Sequence, residues 1–215
     1  MGVADKKNNQ LINISPLTYR HIDPIVLLHK KEINYGFASY LGKDFLKYLY
    51  KTFIECKYGF ALVAADHNGS IIGFITGVTS LSKFYKRFLQ KYSLITGFLI
   101  LPKLLRWKTV KSVYQDLLYP SEKTQYDLPE AEIVSVAVSP DARGQGIGRL
   151  LTEAAFEEFK KRGINKIKVL VGDRLQANGF YRRMGFEFVT HVTYNSDKMD
   201  ANVYVKDLIQ NAKGN

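Results

Sequence analysis

The residues best suited to bind an anionic ligand form a short glycine-rich segment in the second half of the chain. This segment comprises Arg143, Gly144, Gln145, Gly146, Ile147 and Gly148. The preceding residues, EIVSVAV, are typical of a buried strand, and the following stretch, RLLTEAAFEEF, has helical periodicity. The first amides of a helix have no internal partner and carry the positive end of its dipole. The segment therefore predicts a phosphate site built from backbone amides and one arginine.

Two other phosphate loops do not match this segment. A dinucleotide-binding fingerprint would need glycine at position 149, which is Arg149, and a Walker loop would need Gly-Lys followed by Ser or Thr. The pattern Arg-x-x-Gly-x-Gly, from Arg143 to Gly148, resembles the loop with which the GNAT acetyltransferase superfamily wraps the pyrophosphate of acetyl-CoA. A glycine-rich turn without a ligand is the structural alternative.

A second motif supports the resemblance. Residues 177–186 read ANGFYRRMGF and are similar to the closing motif of the family, Ala-x-x-φ-Tyr-x-x-x-Gly-Phe, where φ is apolar. The resemblance implies that Tyr181 protonates the departing CoA thiolate. The common pattern has an asparagine for the pantetheine arm at the position of Arg174, so Asn178 is the substitute candidate. Capping a helix or closing a turn is the alternative role for Asn178.

The resemblance also implies a reaction, the direct attack of an amine on the acetyl thioester. The co-substrate that the resemblance implies is acetyl-CoA, to whose site the backbone of Val136, Ala137 and Val138 would contribute, and no metal is expected. In this family a bulge splays the central strand, so the N–H groups of Val136 and Val138 are candidate donors to the thioester oxygen.

A carboxylate is needed to take the proton of the attacking ammonium group. Glu132, at the start of the predicted central strand, is the candidate base, acting directly or through water, and Glu130 is in reserve. The alternative for Glu132 is a surface glutamate that precedes a strand and has no catalytic role. The four histidines are scattered, are interpreted as surface or core residues, and show no metal-ligand spacing.

The elements that must position these residues are predicted from hydrophobic periodicity and turn residues. They indicate an α/β (α+β) chain with the GNAT fold, a mixed central sheet flanked by helices, with a helical insert before the central strand. Helices are expected over 18–32, with a break near Asp23-Pro24, and over 44–56 and 175–184. Strands are expected over 11–14, 58–65, 70–78, 132–138, 166–171, 186–194 and 201–208.

The insert, residues 80–127, is basic and rich in aromatic residues. Residues 81–125 contain nine Lys or Arg and two acids, within a chain of net charge +11. Two or three helices with a break at Pro102 are expected. The insert is interpreted as additional core, as a lid over the acceptor, or as a face for an anionic membrane surface; a solvated basic face is the alternative.

Length and composition place these features in one domain. The 215 residues, 46% hydrophobic, suffice for a single core, residues 1–10 are interpreted as a flexible tail, and Cys56 as a core thiol. The chain shows no signal peptide pattern, and its longest apolar run is far shorter than the ~20 residues that span a bilayer. A cytoplasmic location is therefore expected.

The sequence thus predicts an N-acetyltransferase whose acceptor amine stays open. A small metabolite, an amino sugar and a protein N-terminus all remain candidates, and a homodimer is compatible with the sequence. A binding module of the same fold, sensing CoA or binding nucleic acid or a membrane surface, is the alternative. The tyrosine and the intact glycine loop favour the enzyme and disfavour nucleic acid as the partner.

Overall fold

A computed structural model describes residues 12–33, 37–104, 127–194 and 199–209. Its sheet has seven strands in the order β1-β2-β3-β4-β5-β7-β6, and every pair is antiparallel except β4–β5. The strands are β1 (Asn13–Pro16), β2 (Gly59–Ala65), β3 (Ile71–Val78), β4 (Glu132–Val138), β5 (Lys166–Gly172), β6 (Glu187–Tyr194) and β7 (Met199–Asp207). The mixed α/β fold predicted from the sequence is confirmed.

Six described helices flank this sheet. They are α1 (Ile22–Glu32), α2 (Phe37–Leu41), α3 (Lys43–Glu55), α4 (Leu81–Leu104), α5 (Ile147–Lys161) and α6 (Ala177–Arg183). The buried side chains of α1, α3 and α4 form one apolar cluster against β2 and β3, and those of α5 and α6 form a second with β4 and β5. The two clusters lie on opposite faces of the sheet, because alternate residues of a strand point to opposite sides.

Two breaks predicted at prolines are absent. The structure has a short 3-10 turn, Tyr19–His21, and then an uninterrupted α1 with Pro24 in its first turn, where a missing N–H costs nothing. Helix α4 likewise continues through Pro102 to Leu104. The rest of the insert, residues 105–126, lies outside the described residues, as do the tail 1–10 and the turn 195–198.

The start of the insert belongs to the core. Phe84, Phe88 and Tyr92 of α4 are buried against α3, and the rings of Phe84 and Phe53 lie 4.4 Å apart. This supports the interpretation of additional core for α4.

The sheet divides between β4 and β5. These strands pair only at Glu132–Lys168 and Ile133–Val169, and beyond these pairs they separate. One residue further along β4, the register against β3 shifts by one residue, because Val134 has no opposite partner. This is a β-bulge, which bends a strand and re-aims its backbone groups.

Candidate active site

The glycine-rich segment forms the turn into α5. Gly144 and Gly146 both have φ of +77°, a left-handed conformation that side chains rarely adopt, and a Cβ on either would meet open space. These two glycines are therefore required by backbone conformation and not by packing. Gly148 differs, since an added Cβ would make only ordinary contacts with Phe180 and Val138.

The N-terminus of α5 is uncapped and carries no acidic residue. Gly146 is the N-cap and offers no side-chain acceptor, while its carbonyl oxygen accepts the first helical bond from the Leu150 N–H at 3.0 Å. The amides of the first turn, from Ile147 to Arg149, thus lack a cap, and the helix dipole favours an anion beside them. The Ile147 side chain points into the core, so only its amide can serve a ligand.

Arg143 lies at this turn and is held by two acceptors. Its Nε donates to the Val138 carbonyl oxygen at 3.3 Å, and its Nη2 forms an ion pair with Glu32, the last residue of α1. The Arg143 side chain is 60% exposed, so the guanidinium also faces solvent. Gln145, next in the turn, is exposed.

Backbone groups of β4 face the gap that opens beside it. The Ser139 N–H donates to the Ile72 carbonyl oxygen at 2.8 Å, so the antiparallel alternation turns Ala137 and Ser135 toward β3. Val136 and Val138 consequently direct their N–H and C=O groups away from β3, into the gap toward β5. The Ala137 side chain is buried in the cluster of α1, α3 and α4.

Glu132 lies at the closed end of the gap in a buried environment. Its carboxylate is 3.4 Å from Lys168 Nζ of β5, and the Lys168 ammonium also donates to the carbonyl oxygens of Pro129 and Glu130. Burial raises the pKa of Glu132, and Lys168 partly opposes that rise. Desolvation, with the Glu132 charge as a smaller cause, raises the pKa of Tyr85 on α4 to about 12. A carboxyl with a raised pKa is a better base than a surface carboxylate.

Comparisons with known proteins show the family of this chain. The family model described as the acetyltransferase (GNAT) family matches residues 30–186. The chain belongs to the GNAT acetyltransferase family. Members of this family use acetyl-CoA.

Curated sequence relatives match a short part of this chain, whereas solved structures match most of its length. The mycothiol acetyltransferase of Rhodococcus opacus is 45% identical over 65 residues, which are 29% of this chain and 21% of that protein. The chain thus spans about a fifth of the length of this curated relative. Two solved structures share the fold. The ribosomal-protein-S18-alanine N-acetyltransferase of Escherichia coli is 17% identical, and the match covers 92% of this chain and 94% of that chain with a TM-score of 0.55. Arabidopsis thaliana NAA60 in complex with acetyl-CoA is 15% identical, and the match covers 91% of this chain and 98% of that chain with a TM-score of 0.58.

Tyr181 of the GNAT closing motif lies in α6, close behind β5. Its side chain is 3% exposed, and its ring packs edge-on against Phe180 and Phe186 at centroid distances of 5.2 and 5.3 Å. Tyr181 is therefore a largely buried member of the apolar cluster that α5 and α6 form with β4 and β5. Its role as general acid stays a prediction.

Asn178 uses its amide within the turn between β5 and α6. Its Nδ2 donates to the carbonyl oxygens of Gly172, Asp173 and Leu175 at 2.7–3.0 Å. Its Oδ1 accepts from Asn202 Nδ2 at 2.9 Å and from the Tyr204 hydroxyl at 3.0 Å. To bind a pantetheine arm, the amide would have to give up one of these bonds.

A buried polar chain beneath β4 was not anticipated from the sequence. His29 Nδ1 lies 2.7 Å from the Tyr50 hydroxyl, which bonds to Ser135, and Ser135 Oγ lies 2.7 Å from Thr76 Oγ1. Burial first, and the Lys30 charge second, lower the pKa of His29 to about 4, so the imidazole is neutral at pH 7. The signal available was polar residues inside otherwise apolar patterns on α1, α3 and β4.

Other features lie away from this centre. A surface cavity of about 660 Å³ is lined by residues such as Arg20, His21, Asp66 and His67, and none of its lining residues comes from β4, β5 or α5. Across the described ranges, no three His, Cys, Asp or Glu side chains are placed to share a metal ion. None of the helices in those ranges is long and apolar enough to cross a bilayer.

Proposed function

We propose that this chain transfers an acetyl group from acetyl-CoA to a primary amine by direct attack within a ternary complex. The observation that carries the proposal is the gap between β4 and β5, with the N–H groups of Val136 and Val138 facing into it. A thioester lying there would meet donors for the negative charge that develops on its oxygen. The uncapped turn into α5 lies at the open end, where the CoA diphosphate would bind.

The acceptor would approach at the closed end of the gap. Glu132 is placed there, and its raised pKa suits the removal of a proton from an ammonium group. Tyr181 would return a proton to the thiolate as the carbon–sulfur bond breaks. The amide bond forms as the carbon–sulfur bond breaks, and the ammonium nitrogen loses two protons in all. One passes through Glu132 to solvent, and the loss of the other is balanced by the proton that Tyr181 gives to sulfur.

Thiol release tests the proposed reaction. The full chain is incubated with acetyl-CoA and amines of three classes: small metabolites, amino sugars and peptides with free N-termini. Thiol release that depends on one class, with acetylated product confirmed by mass spectrometry, supports the proposal and names the acceptor class. Tight CoA binding without thiol release from any class would favour a sensing module instead.

The donor site has its own test in Gly146→Asp. This change places a carboxylate at the uncapped turn and should weaken CoA binding strongly by calorimetry, because like charges repel. Gly163→Asp is the matched control, since Gly163 also has positive φ and open space around its Cβ but lies at the far end of α5. Equal CoA affinity in both variants would place the donor site elsewhere.

The exposed side of α4 supports a second candidate function, contact with an anionic membrane surface. Residues 81–94 of this helix include no acidic residue and four basic ones: Lys83, Lys86, Arg87 and Lys91. Leu94 is 90% exposed. Basic residues with an apolar side chain among them suit an interfacial helix. Flotation with anionic vesicles, lost in Lys86→Glu/Arg87→Glu, would support this function.

A further inference from the structure

The structure assigns Glu32 a role in donor binding: we propose that it holds Arg143 by one edge of its guanidinium, so that the other edge is presented to the CoA diphosphate. The proposal rests on the proposed function, since it concerns the same donor site. Glu32 lies 111 residues from Arg143 in sequence and belongs to α1, not to the glycine-rich turn.

The two contacts of Arg143 occupy one edge of its planar group. Nε and Nη2 form the side-on edge of a guanidinium, and they bind the Val138 carbonyl oxygen and the Glu32 carboxylate respectively. Within the described ranges, Nη1 donates to no protein acceptor. Nη1 and the second N–H of Nη2 form the end-on edge, whose fork matches two phosphate oxygens.

The two side chains of the pair differ in burial, and this difference also supports a positioning role for Glu32. The Glu32 side chain is 9% exposed whereas that of Arg143 is 60% exposed. The carboxylate is therefore the fixed partner, and the arginine lies between it and solvent. A long arginine side chain that is already ordered loses less freedom when it binds a phosphate.

Glu32 is also placed against local helix preference. It is the last residue of α1, where the helix dipole disfavours a negative charge, and it follows Lys30 and Lys31, which suit that position. Residues that break a local rule are expected at functional sites. Its partner on the glycine-rich turn offers the compensation, because Arg143 is the cation that pairs with this carboxylate among the described residues.

A double-mutant cycle on CoA binding tests this role. Glu32→Ala should raise the calorimetric Kd for CoA about tenfold, the order expected when a positioned charged hydrogen bond is lost. Arg143→Ala should raise it at least as much, and adding Glu32→Ala to Arg143→Ala should change nothing further, because Glu32 acts only through Arg143. Glu32→Gln keeps an oxygen acceptor and should restore most of the affinity.

A truncated donor separates positioning from general damage. Acetyl-pantetheine lacks the diphosphate, so its KM as a donor should be equal in wild type and Glu32→Ala. Glu32→Met, which fills similar space without accepting a bond, replaces the alanine variant if that variant does not fold. Glu153→Ala is the charge-matched control, since Glu153 pairs with Arg149 on the exposed side of α5, and its CoA affinity should not fall.

Four results would overturn the inference. Tighter CoA binding in Glu32→Ala would mean that the carboxylate competes with phosphate for Arg143. Equal weakening of acetyl-pantetheine would mean that Glu32 supports the fold or the acceptor side. Additive losses in the double variant would mean that it acts without Arg143. If wild type binds CoA and releases thiol while Glu32→Ala binds CoA with an unchanged Kd, only this inference fails; if wild type binds no CoA, the proposed function fails as well.

Discussion

The Tyr181 hydroxyl can be tested apart from its ring. Tyr181→Phe keeps the aromatic packing against Phe180 and Phe186 and should leave CoA affinity and the melting temperature nearly unchanged. We expect kcat to fall about 10²-fold if the hydroxyl donates the proton to sulfur. Both kcat and Tm are measured on one preparation. A lower melting temperature with unchanged kcat would instead identify a core hydroxyl that only bonds within the protein.

The Lys168 ammonium offers a test of Glu132 as the base. Burial raises the Glu132 pKa and Lys168 lowers it, so Lys168→Met should raise that pKa further. A base acts when deprotonated, and the acidic limb of the kcat/KM profile should therefore move to higher pH. Tyr85 also faces this carboxyl, but its own pKa of about 12 keeps it neutral there.

Lys166→Met is the control for that profile. Lys166 lies on the same strand but is exposed, so its removal should leave the acidic limb in place. If both variants move the limb equally, or neither does, Glu132 is not the group that titrates.

Some candidate site residues can be recognised from the sequence and others cannot, for physical reasons. Gly144 and Gly146 are recognisable because positive φ restricts the residue type. Glu32 gives no comparable signal, since its role depends on a contact with Arg143 that only the folded chain creates. Likewise, Asn178 matches a motif by position, yet its amide bonds are visible only once β5, α6 and β7 are assembled.

At the scale of elements, Glu55 ties α3 to α4 and to the turn before α1. Its carboxylate accepts from Tyr19 at 2.8 Å and from Tyr92 and Lys91 at 2.7 Å. Burial alone would raise the Glu55 pKa, but the bonds from Lys91, Tyr92 and Tyr19 outweigh it and hold the pKa below its usual value. This contact anchors the start of the insert to the core.

Glu55→Gln should lower the free energy of unfolding by about 1–2 kcal/mol at pH 7, since charged hydrogen bonds are lost. A depressed carboxyl pKa stabilises the fold above the unfolded value, and that stabilisation disappears as pH falls through the folded value. The difference from wild type should therefore shrink in acid, as measured by urea unfolding at several pH values. Glu157→Gln, which breaks an exposed pair with Lys160, should change stability little at any pH.

Strands and amphipathic helices were predicted within a few residues because their periodicity is local. The β2–β3 hairpin follows from Asn68-Gly69, and α3 from its apolar stripe. The prolines were misleading, since Pro24 is harmless in a first turn and α4 continues through Pro102. The sequence could not show which part of the insert belongs to the core, because the burial of Phe84 and Phe88 depends on helix α3, which is distant in the sequence.

At the scale of the whole molecule, the sheet consists of two parts joined weakly at the centre. Strands β1 to β4 form one antiparallel part and β5 to β7 another, and only two residue pairs connect them. Helix α5 follows β4 in the chain and packs with β4 and β5 in one apolar cluster. A donor lying in the gap would contact both parts and should stabilise the molecule as a unit, by about 2.7 kcal/mol at a hundredfold excess over Kd.

Amide hydrogen exchange tests directly whether acetyl-CoA lies in the gap between the two parts of the sheet. The N–H groups of Val136 and Val138 face the gap and should exchange quickly in the free protein, whereas that of Ala137 faces β3 and should be protected. Saturating acetyl-CoA should slow Val136 and Val138 by bonding or covering them, and should change Ala137 only as far as global stability rises. Acetyl-CoA that binds but leaves Val136 and Val138 fast would show that the thioester arm lies outside the gap. In that case these amides could not stabilise the thioester oxygen, and the hydrogen-bond donor to that oxygen would have to be sought on another strand.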